Sequence, residues 1–284
     1  MSAPPLFRLA DERRVTVVRD TAMVQRVLDD DPVGSCMVAA RVADHGLAPV
    51  AIGGQLWTRT RPGQSLCFAG ANLIPLRGEV ADLHAFADKA ASSARRCSSL
   101  VGRAELVMPM WQRLEGTWGP ARDVRERQPL MALDALPQCA VDPEVRPVRM
   151  EELDAYLVAA IDMFIGEVGI DPRLGDGGRG YRRRVAGLIA AGRAWARFER
   201  GRVVFKAEVG SQSTSVGQIQ GVWVHPEWRG RGFGIAGTAA LASAVVRGGR
   251  VASLYVNDYN TVARATYARI GFTEVGTFAT VLMD

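Results

Sequence analysis

One stretch of this chain leaves little freedom in what it can fold into: Val222-Trp223-Val224-His225-Pro226-Glu227-Trp228-Arg229-Gly230-Arg231-Gly232-Phe233-Gly234. Strand-forming residues stop at a proline, three glycines follow, and a small-residue helix pattern begins, which is the strand-turn-helix unit of an α/β sheet. Glycine permits positive φ and lets the backbone approach a ligand with no Cβ in the way. The first-turn amides of the helix lack internal partners and sit at the positive end of its dipole, so the turn is a cradle suited to a pyrophosphate. It is not a Walker loop, because Lys and Ser/Thr are missing at its end, and it is not G-x-G-x-x-G. Taken alone, such a turn serves tight strand-to-helix packing equally well.

A second stretch, 254–272, narrows the choice. Asn260 is a good N-cap, Gly271 a good residue to follow a helix, and between them Ala263 and Tyr267 stand four apart on one face. Asn260 and Tyr267 lie about two turns apart, roughly 10 Å, so a ligand running along that face meets both. The plainer alternative is that Asn260 only caps and Tyr267 only packs.

Apolar spacing predicts a strand at 146–149, a helix at 150–168, a glycine-rich loop at 171–181 and a helix at 182–191. Strands at 194–198 and 203–209 follow, then a hairpin tip at 210–216 and the strand 218–224. A helix at 234–246, a strand at 251–256, the helix 261–270 and two further strand-like pieces complete the chain. The first half repeats this order faintly: strand 15–19, helix 21–28, strands within 35–76, helix 79–96, strand 98–101, helix 105–114 and a strand near Val124. From Pro75, ending the strand 72–74, to Gly119 is 44 residues; from Pro226 to Gly271 is 45. A duplication leaves such a period, though two halves of one common pattern would also agree. Pro137, Pro143 and Pro147 mark a linker without periodicity, so the expected domains are 1–142 and 143–284. The fold class is α/β (α+β), with mixed central sheets flanked by helices.

At 284 residues and 48% apolar composition the chain can bury two cores, which excludes disordered, collagen-like and coiled-coil classes. The net charge of +5 invites a nucleic-acid reading, but residues 1–142 carry 17 basic and 16 acidic groups, and 143–284 carry 18 and 14. The one dense cluster, Arg182-Arg183-Arg184, lies on a helix with no aromatic ladder beside it, so no nucleic-acid partner is expected. No apolar run reaches the roughly 20 residues of a spanning helix, and the first 15 residues lack a signal-peptide core, so a cytoplasmic protein with no membrane partner is expected. Cys36, Cys67, Cys97 and Cys139 read as core thiols, and the three histidines do not cluster at metal-ligand spacing, so no metal is expected.

Together the two glycine-bearing stretches resemble the GNAT superfamily of acyl-CoA-dependent N-acyltransferases. Its pyrophosphate motif, Q/R-x-x-G-x-G/A after a strand and V-x-P, stands here from Arg229 to Gly234, and its N-x-x-A-x-x-x-Y-x-x-x-G-F pattern as Asn260, Ala263, Tyr267, Gly271 and Phe272. The resemblance implies acetyl-CoA as co-substrate. In it Val222, Trp223 and Val224 pair with the pantetheine arm. The amides around Arg229, Gly230, Arg231, Gly232, Phe233, Gly234 and Ile235 hold the pyrophosphate. Asn260 contacts the cofactor arm, and Tyr267 protonates the departing thiolate.

The reaction so implied moves an acetyl group to a primary amine, of a small molecule or a peptide, by direct attack in a ternary complex. An ammonium near pKa 10 must first lose its proton. Gln218 and Gln220 stand where relatives carry a Glu and cannot act as bases; Glu208 on the preceding strand is the candidate, although a surface strand carboxylate would look the same. Glu167 and Asp171, before the loop 175–180, are candidates to attract the cationic acceptor, or are ordinary loop charges. Aligned on the two glycines, the first half places Met108 against Asn260 and Glu115 against Tyr267, with Leu76-Arg77-Gly78-Glu79 in place of the cradle. It reads as a degenerate GNAT-like half, in a monomer or homodimer. The alternative function is a non-catalytic acetyl-CoA sensor.

Overall fold

The computed structural model describes residues 14–59 and 63–284, so most of the N-terminal stretch read above lies outside the described residues. The chain divides into two compact units, one formed by residues up to Leu130 together with Glu274–Asp284, the other by Met131–Thr273. Among the described residues no helix is long and apolar enough to cross a membrane.

The first unit runs β1 (Thr16–Val17), α1 (Thr21–Asp30), α2 (Cys36–His45), α3 (Pro49–Ile52), β2 (Gly54–Thr58), β3 (Leu66–Gly70), β4 (Asn72–Arg77), α4 (Val80–Ala91), β5 (Ser99–Arg103), α5 (Ala104–Trp118) and most of β6 (Asp123–Leu133). Its last strand comes from the chain end, β12 (Thr273–Leu282), which pairs antiparallel with β5 from Phe278↔Arg103 to Leu282↔Ser99. Strands β2 to β4 are antiparallel neighbours, and β4 and β5 run parallel. Leu83, Phe86, Trp111 and Leu114 of the helices pack with Leu73, Leu100, Ala279 and Val281 of the strands.

The second unit runs β7 (Arg146–Pro147), α6 (Leu153–Val168), α7 (Arg179–Ala190), β8 (Ala194–Glu199), β9 (Arg202–Gln212), β10 (Val216–Val224), α8 (Phe233–Arg247), β11 (Val251–Tyr255) and α9 (Thr261–Ile270), with strand order β11-β10-β9-β8-β7. Only β10 and β11 are parallel within that order. Alternation along β9 serves two faces. Phe205, Ala207 and Val209 enter the core beneath α8 and α9, which turns Lys206 and Glu208 to the other face, while Val203, beyond an extra residue in the β8–β9 register at 204, joins Tyr156 and Leu188 beneath α6 and α7. Gly237 lets α8 lie directly on β9, since a Cβ there would come 2.7 Å from the Phe205 ring. Gly237→Val is therefore expected to lower stability by about 1–3 kcal/mol, read by thermal or urea denaturation.

Both units share one order, strand, helices, three strands, helix, strand, helix, with three helices before the three strands in the first unit and two in the second. Gly119 and Gly271 end equivalent helices, each at positive φ. Four expectations differ. The strands expected within 35–76 occupy only its later part, because 36–45 and 49–52 are helices; Cys36, Val38, Ala40 and Val42 are buried at strand-like spacing, but 36–45 holds three helix-favouring alanines. Strand β4 does not stop at Pro75, which lies just past its last pair with β5, Leu73↔Leu100, so the missing N–H breaks no bond of that ladder. The two final strand-like pieces are the single strand β12. The unit boundary falls inside β6 instead of at 143, because packing changes there: Thr280 donates to Gln128 in the first unit, whereas Met131 and Leu133 enter the core of the second.

Candidate active site

The site grows from β10. Its ladder with β11 runs from Val216↔Val251 to Gln218↔Ser253 and stops, while its ladder with β9 continues to Val224↔Phe205. Among the described residues, the β11 side of β10 beyond Gln218 is therefore a strand edge with no partner strand. A bulge between Gln220 and Trp223 adds one residue there, and Gly221 takes it up with φ +60°. At the fork, Gln218 Nε2 and Ser253 Oγ are buried with no hydrogen-bond partner. Buried polar atoms left in this way call for a ligand or ordered water.

At the end of β10 the chain makes a short turn, Pro226–Trp228, and enters α8. His225 Nδ1 accepts from the Glu227 amide at 3.3 Å, and Arg229 Nε donates to the Val224 carbonyl at 3.1 Å, which ties the turn back to the strand. Gly230 and Gly232 have φ of +73° and +85°, and a Cβ on either would meet nothing within 4 Å. Backbone conformation, not crowding, is what demands glycine here. No side chain caps α8. Beside its first turn lies an open cleft of about 460 Å³ whose lining includes Arg197, Arg231 and Arg269. Arg231 stacks on Trp228 at 5.3 Å, Trp228 meets Phe233 edge-on, and Arg197 stacks on Phe233 at 4.8 Å. Arg197 is held by Asp142 and Glu199, and uncapped amides, left-handed glycines and the Arg231 and Arg269 guanidinium groups suit a diphosphate.

The equivalent helix of the first unit shows what closes such a cradle. Glu79 caps α4, Asp82 accepts from the Glu79 amide at 3.1 Å, and the reciprocal bond is also present. Two carboxylates occupy the amides that a phosphate would need. Met108 lies inside α5, not at its cap, and Glu115 is exposed, whereas Tyr267 is buried.

Asn260 caps α9, its Oδ1 accepting from the Ala263 amide at 3.1 Å. Tyr267 packs edge-on to Phe272, and burial, with the charge of Glu167 adding to it, pushes its hydroxyl well above the ordinary phenol range. It stays protonated at any working pH. Glu208 is 2% exposed and hence no surface carboxylate. Gln220 Nε2 donates to its Oε1 at 2.7 Å, across the space that Gly210 leaves open, and Arg184 donates to the same oxygen at 3.2 Å. Burial alone pushes the Glu208 carboxyl up, but Lys206 and Arg184 outweigh it and hold it below the usual range.

The structure thus brings Tyr267, Glu167, Glu208 and the bulge into one electrostatic neighbourhood. Asp171 is engaged otherwise: a two-bonded ion pair with Arg173, at 2.7 Å, holds its carboxyl low. Sequence reasoning missed Arg197 and Arg269, which come to the cleft from distant elements, and Arg184, one of the three clustered arginines. Arg182 pairs with Asp154. It also missed Lys206, whose placement two residues before Glu208 in a strand puts both on one face.

Two family models match parts of the chain: one described as a domain of unknown function (DUF4081), at residues 54–156, and one described as FR47-like protein, at 207–281. No curated protein matches it. Among solved structures the chain is similar to an acetyltransferase from the GNAT family of Colwellia psychrerythraea, with 12% identity, 95% of this chain and 100% of that one covered, and a TM-score of 0.57. A Drosophila protein matches with 14% identity, coverage of 95% and 98%, and a TM-score of 0.67. A tandem GNAT protein from the clavulanic acid biosynthesis pathway matches with 15% identity, coverage of 95% and 97%, and a TM-score of 0.51. Likeness at such identities is likeness of fold: the chain is a mixed α/β protein with two GNAT-like halves.

Proposed function

We propose that this chain is an acyl-CoA-dependent N-acyltransferase with a single working site, in the second unit, which moves an acetyl group from acetyl-CoA to a primary amine. The observation that carries this reading is the juxtaposition of an uncapped helix start, an unpaired strand edge at a glycine bulge, and a buried, protonated tyrosine. The first-turn amides of α8, with Arg231, would hold the pyrophosphate. The free edge of β10 at Val222, Trp223 and Val224 would pair with the amides of the pantetheine arm, as an added strand does.

Direct transfer asks three things of the protein. A proton must leave the acceptor ammonium, and the buried cluster around Glu208 is the polar ground nearest the bulge that can take it up. Negative charge on the thioester oxygen needs a donor, which a backbone amide of β10 at the bulge supplies. The departing sulfur needs a hydrogen-bond donor, the role of Tyr267. Glu167, exposed near the same neighbourhood, draws in a cationic acceptor.

Isothermal titration is expected to show one acetyl-CoA bound per chain, and a panel of primary amines to elicit sustained thiol release. Folded protein that binds no acetyl-CoA would sink the reading. Binding without release by any amine would leave a sensor of acetyl-CoA in its place.

A further inference from the structure

Lysine is nearly absent from this chain: of 35 cationic side chains 33 are Arg, and the two lysines are Lys89 and Lys206. Lys89 has a structural place, donating to the Val15 carbonyl at 3.1 Å and stacking on Trp57. Lys206 sits in mid-β9, fully buried, with no hydrogen-bond partner for Nζ among the described residues. A guanidinium does not give up its proton inside a protein, whereas a desolvated ammonium does. A chain that writes nearly all its cations as Arg and keeps Lys at a buried strand position has there a cation that, unlike Arg, can become a base.

Its surroundings point the same way. Nζ lies 3.7 Å from Glu208 Oε2, beyond hydrogen-bond distance, and 5.3 Å from the centre of the Tyr156 ring. A Cβ at Gly221 would fall 3.0 Å from it, so Nζ presses against the bulge. The charged and titratable groups around it are Glu208 on its own strand, Tyr156 and Glu167 from α6, and Arg184 and Tyr181 from α7. From β10, Trp223 is its register partner and Gly221 lies against Nζ, and neither is titratable. Desolvation brings the Lys206 ammonium below its ordinary range, with Glu208 and Glu167 opposing. Glu208, already serving Gln220 and Arg184, is by contrast made less basic.

We propose that Lys206, not Glu208, is the group that takes the proton from the acceptor amine, and that Glu208 is the fixed anion that positions it and sets its basicity. The inference rests on the acyl-transfer reading above. Neutral Nζ accepts one proton from the acceptor ammonium, in contact or through one water. The freed amine forms the N–C bond to the thioester carbonyl, and the C–S bond breaks. The second amine proton goes to the departing sulfur, and Lys206 returns its own proton to solvent.

Two lysines make the test direct. Protein labelled with 13C-lysine shows two ε-carbon signals, one of which Lys89→Arg removes. The Lys206 signal is expected to titrate well below the ordinary value of about 10.4, and lower still in Glu208→Gln. The acid limb of kcat/KM for acetyl transfer to an amine is expected at the same pH, and to move with it in Glu208→Gln. Lys206→Met is expected to abolish that limb and cut kcat by roughly 10²–10⁴, with acetyl-CoA affinity by calorimetry retained. Lys206→Arg, which keeps the cation but cannot release a proton, should show the same loss. A Lys206 midpoint near 10.4 overturns the proposal, as does a limb that survives in Lys206→Met. A limb that Glu208→Gln abolishes while the Lys206 midpoint stays in place hands the role to Glu208. Failure to bind acetyl-CoA at all would instead strike the acyl-transfer reading, before any variant is made.

Discussion

Tyr267→Phe is expected to lower kcat for amine acetylation by roughly 10- to 100-fold while leaving acetyl-CoA affinity within about twofold. The size follows from what a phenol in this position can do. A CoA thiolate, with a pKa near that of cysteine at about 8.5, is a weaker base than phenolate, so full transfer of the Tyr267 proton runs uphill. Tyr267 helps by donating a hydrogen bond to sulfur as charge develops, and a bond to a charged partner contributes about 1.5–3 kcal/mol. Its burial in the core beside Phe272 means that the ring, kept in the Phe variant, supplies the packing. Because burial and Glu167 both push the hydroxyl up, the neutral donor is present at every pH below its raised pKa. The wild-type to variant ratio should therefore stay flat from about pH 6 to 9, measured by thiol release at saturating substrates. A ratio that changes across this range, or an unchanged rate, would remove Tyr267 from the acid role.

What was legible in the sequence follows how local each signal is. Helix α9 was read to the residue because both ends carry their own caps, Asn260 and Gly271. The strand-turn-helix around Gly230 and Gly232 was equally plain, since its glycines stand within one turn of chain. The first half was harder: α2 shows buried residues at alternate positions, as a strand would, and only packing on all sides of a short helix explains that pattern. The assignment of β12 to the first unit depends on pairing with β5, from Phe278↔Arg103 to Leu282↔Ser99 and so about 180 residues earlier, and nothing near 273–284 announces it. The arginines of the cleft arrive from β8, α9 and the turn before α8, so no spacing links them. Lys206 and Glu208 are the instructive case. Their separation of two, in a strand where they alternate with Phe205, Ala207 and Val209, already places two opposite charges on one face. What the sequence could not show is that α6 and α7 seal that face.

Gly232→Asp is expected to weaken acetyl-CoA binding by roughly 100-fold with little change in thermal stability. The first unit supplies the precedent, because Glu79 and Asp82 close the start of α4 with carboxylates. At α8 the capping position is Gly232, at φ +85°, a conformation that Asp tolerates better than most residues. The strain of about 1 kcal/mol is offset by a capping gain of similar size. Charge then decides the outcome. A carboxylate about 4 Å from a phosphate oxygen costs up to about 4 kcal/mol at an effective dielectric of 20, and solvent screening with side-chain rotation leaves about 2–3 kcal/mol. Gly232→Asn separates charge from shape, since it caps and strains alike but is neutral, and should lose less than about tenfold. Titration at low and high salt is the measurement, with the Asp penalty shrinking as salt rises and the Asn penalty unmoved. Equal losses in the two variants would assign the effect to backbone geometry, and an Asp variant that binds as the parent does would take the α8 N-terminus out of the cofactor site.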